Sequence, residues 1–241
     1  MRLTDWKSDV TSQFGEDGMV AKLNEWLGLK TGTCMEFGAW DGIHFSNTCS
    51  LWRDGGWGAV LIESDVDRAG ALKQLAQKYS GLVTAVHGRV GLEAGTRPED
   101  HVKDVDLVSI DVDGNDLHIF ESTALRPKLF IVEFNPTVPK DLDIYAPYSR
   151  DNYFGCGLKS LLRVAEGKGY EYIGSTETNG FFLRGDLKAK LPLDLDVSLD
   201  DLPSDKHVTY LVSAYDGKYK ATQVGPYGRT VHYDGELVGV A

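Results

Sequence analysis

Four acidic residues, an asparagine and a histidine crowd the segment SIDVDGNDLHIFES, residues 109–122, at the end of what otherwise reads as a buried strand. Alternation with period two puts Asp111 and Asp113 on one side of that strand and Ile110 and Val112 on the other. In the next apolar run, KLFIVEFN, Glu133 and Asn135 share a side in the same way. Asp111, Glu133 and Asn135 can therefore converge as oxygen ligands for Mg²⁺ or a similar hard cation, which would hold a substrate hydroxyl and lower its pKa. Asp113, Asn115, Glu133 and Asn135 are the groups nearest an incoming substrate. The plainer alternative is a tight turn, because Asp, Gly and Asn form turns by themselves. Chemistry without a metal calls for a proton acceptor. His118 is the nearest in sequence and His44 the second, although a histidine between Leu117 and Ile119 is equally a packing residue. Positioning two reactants in line can also suffice with no base at all.

A second group of chemically able residues is EFGAWDG, residues 36–42. Gly38 and Gly42 let the backbone turn and approach a ligand, and the flanking carboxylates of Glu36 and Asp41 can accept hydrogen bonds from an amine or hydroxyl. A dinucleotide suits this loop poorly, since GxGxxG is missing and Asp41 would repel a pyrophosphate, whereas a cationic ligand suits it. Glu63, in VLIESD, stands one strand later, where a carboxylate can hold both hydroxyls of a ribose. Upstream, SQFGEDG offers Ser12 as a cap for the helix carrying Met19, Val20, Leu23, Trp26 and Leu27, with Gln13 and Asp17 placed to close over the site. A long segment after KLFIVEFN carries Tyr145, Tyr148, Tyr153 and Phe154, of which Tyr148 is the candidate for stacking on a substrate ring. Arg150 and Lys140 could meet an anionic group there.

These residues must be held by a scaffold, and 241 residues with 42% hydrophobic content suffice for one large domain or a domain with an appendage. A net charge of −11 argues against a phosphate-backbone footprint, so no nucleic-acid partner is expected. Cys34, Cys49 and Cys156 lack CxxC spacing and read as reduced, partly buried thiols. No apolar run reaches membrane-spanning length and MRLTDWKSDV lacks the layout of a signal peptide, so a cytoplasmic protein without membrane attachment is expected. Short apolar runs alternate with helical patterns, which implies an α/β fold with a parallel sheet. TGTCMEFGAW, VLIESD, LVTAVHG, VDLVSIDVD and KLFIVEFN read as five strands. Asp67 opens a helix with Ala69, Leu72, Leu75, Ala76 and Tyr79 on one face, and GLKSLLRVAEGKGY is a helix with Leu158, Leu161, Leu162 and Ala165 inward. YEYIGSTETNGFFLRGD is a pair of strands around a polar turn. The expected division is a domain over residues 1–187 and a β-rich extension over 188–241, where VTYLVSAYDGKYKATQ carries an Asp-Gly hairpin signal. That extension serves either oligomerisation, giving a homo-oligomer, or the substrate pocket.

EFGAWDG, then LIESD, then SIDVDGND resemble the successive motifs of class I S-adenosylmethionine-dependent methyltransferases, closest to the FkbM-type group. The resemblance runs over residues 12–186, with SQFGEDG similar to the group's N-terminal signature and IVEFNPTVP and NGFFLRGDL similar to its fifth and last strands. It implies a Rossmann-like seven-stranded sheet whose last strand is antiparallel, binding S-adenosylmethionine in an extended pose. By motif, Glu36, Gly38 and Gly42 would line the methionine part of the cofactor, Glu63 its ribose, and Asp111 the methyl-bearing end. The chain departs from the group in reading DVDG where DVEG is usual, and HGRV without an acidic residue, which leaves the adenine to backbone groups at residues 87–90. The implied activity is O-methylation of a sugar-containing or other small hydroxylated metabolite. The alternatives are a metal-dependent catechol-type O-methyltransferase and a non-catalytic interaction module on the same fold.

Overall fold

The computed structural model describes residues 1–93, 95–199, 209–213, 215, 219–224, 230–233 and 237–240. Runs of β-branched and aromatic residues form the strands β1 (Thr33–Phe37), β2 (Gly58–Glu63), β3 (Val83–His87), β4 (Leu107–Ile110) and β5 (Leu129–Glu133). A short β6 (Asp143–Tyr145) follows, then β7 (Tyr170–Ser175) and β8 (Asn179–Arg184). The helices are α1 (Glu16–Leu27), α2 (Cys49–Arg53), α3 (Val66–Lys78), α4 (Asp116–Ser122) and α5 (Leu158–Gly167). Seven strands make one sheet in the order β3-β2-β1-β4-β5-β8-β7. β1 to β5 run parallel, and β8 lies antiparallel between β5 and β7. This is the Rossmann-like seven-stranded α/β sheet expected from the sequence, with its last strand antiparallel.

The central strands are apolar on both sides because both faces of the sheet are covered. Cys34, Leu61, Leu107 and Ile131 pack under α1, α2 and α3 with Met19, Leu23, Trp52 and Leu72. Their neighbours Met35, Ile62, Val108 and Val132 pack on the other face with Phe120 of α4 and Leu161 of α5. Two helix starts differ from the sequence reading. The α3 cap is Asp65, whose carboxylate accepts the Asp67 and Arg68 N–H groups at 3.0 Å, rather than Asp67. α1 begins after Gly15 in a left-handed conformation, and the Ser12 hydroxyl instead accepts the Asp17 N–H at 3.0 Å. Glu16 is fully buried and ties the start of α1 to the β7–β8 turn, accepting from the Asn179 amide at 3.0 Å and the Thr176 hydroxyl at 2.5 Å. The three cysteines are free and buried, and burial raises the Cys49 thiol to about 11.

The expected boundary at 187/188 falls inside a 3-10 turn, Gly185–Lys190, whose Leu187 is buried in the first core. Beyond it β9 (Thr209–Ser213), β10 (Tyr219–Val224) and β11 (Thr230–Tyr233) form an antiparallel sheet, while β12 (Val238–Val240) pairs with β6. The Asp-Gly pair of the expected hairpin lies outside the described residues. Among the described residues, no helix is long and apolar enough to cross a membrane.

Candidate active site

A cleft of about 530 Å³ opens at the carboxyl ends of β1, β2, β4 and β5, a volume in the range of small-molecule sites. Its first wall is made by the turn after β1. Gly38 has φ +71°, and a Cβ there would sit 1.7 Å from the Asp111 carbonyl oxygen, so only glycine lets the β1 and β4 ends come this close. Trp40 is also left-handed, with φ +48°. It is held by Glu63, whose carboxylate accepts the Trp40 N–H at 2.9 Å and the Asp65 N–H at 2.7 Å. Glu63 is 5% exposed, faces the cleft, and keeps lone pairs free to accept hydroxyls. Gly88, Arg89 and Val90 continue this wall beyond β3.

Other residues of the same motifs serve the scaffold. Asp41 is half-buried and its carboxylate accepts the Ile43 and His44 N–H groups at 2.9 and 2.7 Å. Gly42 abuts α3, where a Cβ would meet Leu75 at 2.6 Å. Neither lines the cleft. Glu36 does, yet its oxygens are engaged by Ser46 (2.6 Å), Thr48 (2.7 Å) and the Asn47 N–H (2.9 Å). Burial pushes Glu36 upward in pKa while those three donors oppose it. Gln13 reaches the cleft. Asp17 does not, because its carboxylate gathers the N–H groups of Val10, Thr11 and Ser12 at 2.7–2.9 Å. Burial would raise its pKa, but the surrounding donors outweigh it and leave Asp17 below the usual range.

The second wall centres on SIDVDGND. Asp111, Asp113 and Glu133 each place a carboxylate oxygen within 4.8 Å of the others. Asp111 and Glu133 are hydrogen-bonded to each other, and burial together with neighbouring negative charge pushes both far above the ordinary carboxyl range. Two carboxyl groups in contact resist ionising together, so the shift of both favours a proton shared between them. Burial also raises Asp113, with Arg68 opposing. Arg68 lines the cleft with its guanidinium 3.8 Å from the centre of the Trp40 ring. Asp116 clasps the turn from below, accepting the Val112 and Gly114 N–H groups at 2.8 Å, and burial lifts its pKa to about 7. At Gly114, φ +148°, a Cβ would sit 1.9 Å from the Asn152 carbonyl oxygen. The Asn152 amide donates to the Gly114 carbonyl at 2.6 Å and to Asn115 at 3.2 Å, and Asn115 and Asn152 both line the cleft.

Three expected site residues lie apart from this cluster. Asn135 uses its carboxamide on the following segment, donating to the Phe154 carbonyl at 2.8 Å and accepting from Thr137 at 2.6 and 3.0 Å. Asp113, rather than Asn135, joins Asp111 and Glu133. His118 is outside the cleft, with Nε2 2.9 Å from the Ala146 carbonyl and its ring edge-on to Tyr145 and Tyr148. A carbonyl only accepts, so this nitrogen carries the proton. Tyr148 also points away, its hydroxyl accepting the Leu92 N–H at 3.2 Å. Of the expected cations, Arg150 lines the cleft beside Glu93, and Lys140 instead donates to the Leu199 carbonyl at 3.1 Å. His44 stands at the mouth, its ring 3.8 Å from Phe45. Sequence reasoning missed Arg68, Asp116 and Asn152. For Asp116 a signal existed, a carboxylate just inside a helix start after Asp-Gly.

No family model matches the chain, and no curated protein matches it. Among solved structures, TrmK of M. capricolum in complex with S-adenosyl-homocysteine is 14% identical over 67% of this chain and 66% of that one, with TM-score 0.40. A SAM-dependent methyltransferase from Aquifex aeolicus is 13% identical over 70% of this chain and 88% of that one, TM-score 0.41. A precorrin-6y C5,15-methyltransferase from Geobacter metallireducens is 12% identical over 95% and 89%, TM-score 0.43.

Proposed function

We propose that this chain is a cytoplasmic S-adenosylmethionine-dependent methyltransferase that methylates a hydroxyl of a sugar-containing or other small metabolite. The observation that carries the reading is Glu63, buried at the carboxyl end of β2 and lining the cleft beside the Gly38 turn. The residues present fit the cofactor. Glu63 would accept its ribose hydroxyls, Gly38 and Ala39 would face its amino-acid arm, and the backbone at Gly88 and Val90 would border its base, all of them lining the cleft. S-adenosylmethionine, when bound, supplies a methyl group on a positively charged sulfur. The acidic floor formed by Asp111, Asp113 and Glu133 favours that charge. Asp111 and Glu133 both line the cleft, and this pair would take the proton from the acceptor hydroxyl, a role that His118 is too remote to fill.

A metal-dependent variant of the same reaction is favoured by one observation, the convergence of Asp111, Asp113 and Glu133. Three carboxylates at this separation suit a hard divalent cation, which would supply Lewis acidity to a bound hydroxyl. Titration calorimetry with S-adenosylhomocysteine tests the main reading: micromolar binding is expected, with at least a tenfold loss in Glu63→Ala at unchanged fold. Well-folded protein giving no heat would sink it. Transfer of labelled methyl to a panel of hexoses and nucleotide sugars, with and without chelator, then separates the metal-free route from the metal-dependent one. Binding without transfer to any acceptor favours a non-catalytic module.

A further inference from the structure

The second wall of the cleft hangs on a segment, residues 135–157, that leaves the sheet after β5 and returns at α5. Within it β6 is a strand of three residues, too short to stand alone. On one side it is stitched to the returning chain, with Tyr145 bridged to Cys156, the Ala146 N–H donating to the Gly155 carbonyl at 3.0 Å and the Gly157 N–H to the Ile144 carbonyl at 2.8 Å. Asp143 anchors it to α5 through the Ser160 hydroxyl at 2.6 Å and Arg163 at 2.8 Å. Its other edge would expose unpaired backbone groups. β12 covers that edge, with Val238 opposite Tyr145, Gly239 opposite Ile144 and Val240 opposite Asp143. Leu237 adds a side-chain contact to a small core of Val138, Ala146 and Phe154. Phe154 directly follows Asn152 and Tyr153, which line the cleft, and Asn152 holds the turn at Gly114.

We propose that β12 is a positioning element of the substrate wall: the end of the β-rich extension completes β6 by strand addition and thereby fixes Asn152 and Tyr153 against the Asp111–Glu133 cluster. The name of that wall rests on the methyltransferase reading, but the mechanical link does not. Strand addition gives affinity through main-chain hydrogen bonds and needs only a free edge. Among the described residues the extension adds none to the lining of the cleft, and β12 is coupled to it through the half that faces the acceptor. Among the described residues β12 pairs with no strand of the cofactor half, built on β1 and β2.

Hydrogen exchange and calorimetry test this with the full chain, a chain ending at Glu236, and Gly239→Pro in the full chain. Removing or breaking β12 is expected to speed amide exchange over residues 143–157 by about tenfold or more, with β1, β2 and β4 unchanged. Affinity for S-adenosylhomocysteine is expected to stay within about twofold. Adding the peptide ELVGVA in excess to the shortened chain should restore protection over the same residues. Unchanged exchange over 143–157 in both variants overturns the proposal, as does a solution mass that halves on truncation, since the strand would then come from a second copy. Failure of the wild-type chain to bind S-adenosylhomocysteine would remove the methyltransferase reading and leave the exchange result to decide the link by itself.

Discussion

On the β1–β2 side of the cleft, main-chain geometry sets the wall: Gly38 against the Asp111 carbonyl, Trp40 in a left-handed turn, and one carboxylate, Glu63, tying that turn to the start of α3 through the Trp40 and Asp65 N–H groups. On the β4–β5 side, side chains do this work. Asp116 holds Val112 and Gly114, Asn152 holds Gly114 and Asn115, and Asn135 holds Phe154. The first kind of wall sets main chain against main chain and is intolerant of an added atom at Gly38. The second is assembled from residues up to 38 positions apart and can yield one hydrogen bond at a time. On the proposed function, the former would take the constant cofactor and the latter the variable acceptor.

The contrast can be broken most severely at Gly38. Gly38→Val combines a disallowed φ with a collision against backbone, and should cost about 4 kcal/mol or more, read from the urea midpoint, and abolish S-adenosylhomocysteine binding. Asn152→Ala strips hydrogen bonds from a buried turn and should cost about 2–3 kcal/mol, yet leave S-adenosylhomocysteine affinity within about threefold. Equal loss of stability and of cofactor affinity in that variant would show that the two walls are not independent.

Acid–base behaviour sharpens the comparison. Asp111, Glu133 and Asp116 have folded-state pKa values above the unfolded ones, Asp116 at about 7. Their contribution to stability is fully present below the unfolded carboxyl value of about 4 and is lost as pH rises through the folded values. Asp17 and Asp143 are depressed, so their contributions are present above that value and are lost as pH falls through the folded ones. Urea midpoints between pH 5 and 8 should therefore decline with rising pH in the absence of added cations, and less steeply in Glu133→Gln. A steeper decline in that variant would show that the pair does not share its proton in the folded state. At His118, replacement by Ala should change turnover by less than about threefold and cost about 1 kcal/mol for the bond to Ala146. A hundredfold loss of turnover would return this histidine to the chemistry. Tyr148→Phe removes one exposed hydrogen bond to Leu92 and should cost under about 1 kcal/mol by thermal melting.

The same division governs what the sequence discloses. The strands were legible because alternation and apolar runs are local properties, and the place of Glu63 in the cleft was legible because the carboxyl ends of parallel strands border the crevice. The helix caps moved by a few residues because either of two nearby Asp or Ser side chains could satisfy the same orphan N–H groups. Asn135 shares the expected strand parity with Glu133, but β5 ends at Glu133, so alternation no longer governs where its side chain goes. His118 and Tyr148 turn to each other and to Ala146 and Leu92, partners more than 20 residues away, which no spacing rule announces.

The placement of β8 between β5 and β7 also orders the assembly of the molecule. β7 is synthesised first, yet it has no neighbour in the sheet until β8 arrives, and the Thr176 and Asn179 partners of Glu16 lie 160 and 163 positions downstream of it. Loop closure over such spans is slow, and a chain emerging from the ribosome N-terminus first meets these partners last. Residues 1–133 can therefore lay down the parallel half of the sheet before Glu16 meets its partners in the β7–β8 turn. The mouth of the cleft is finished only when the final strand of the sheet slides into its slot, so ligand binding reports completion of the domain.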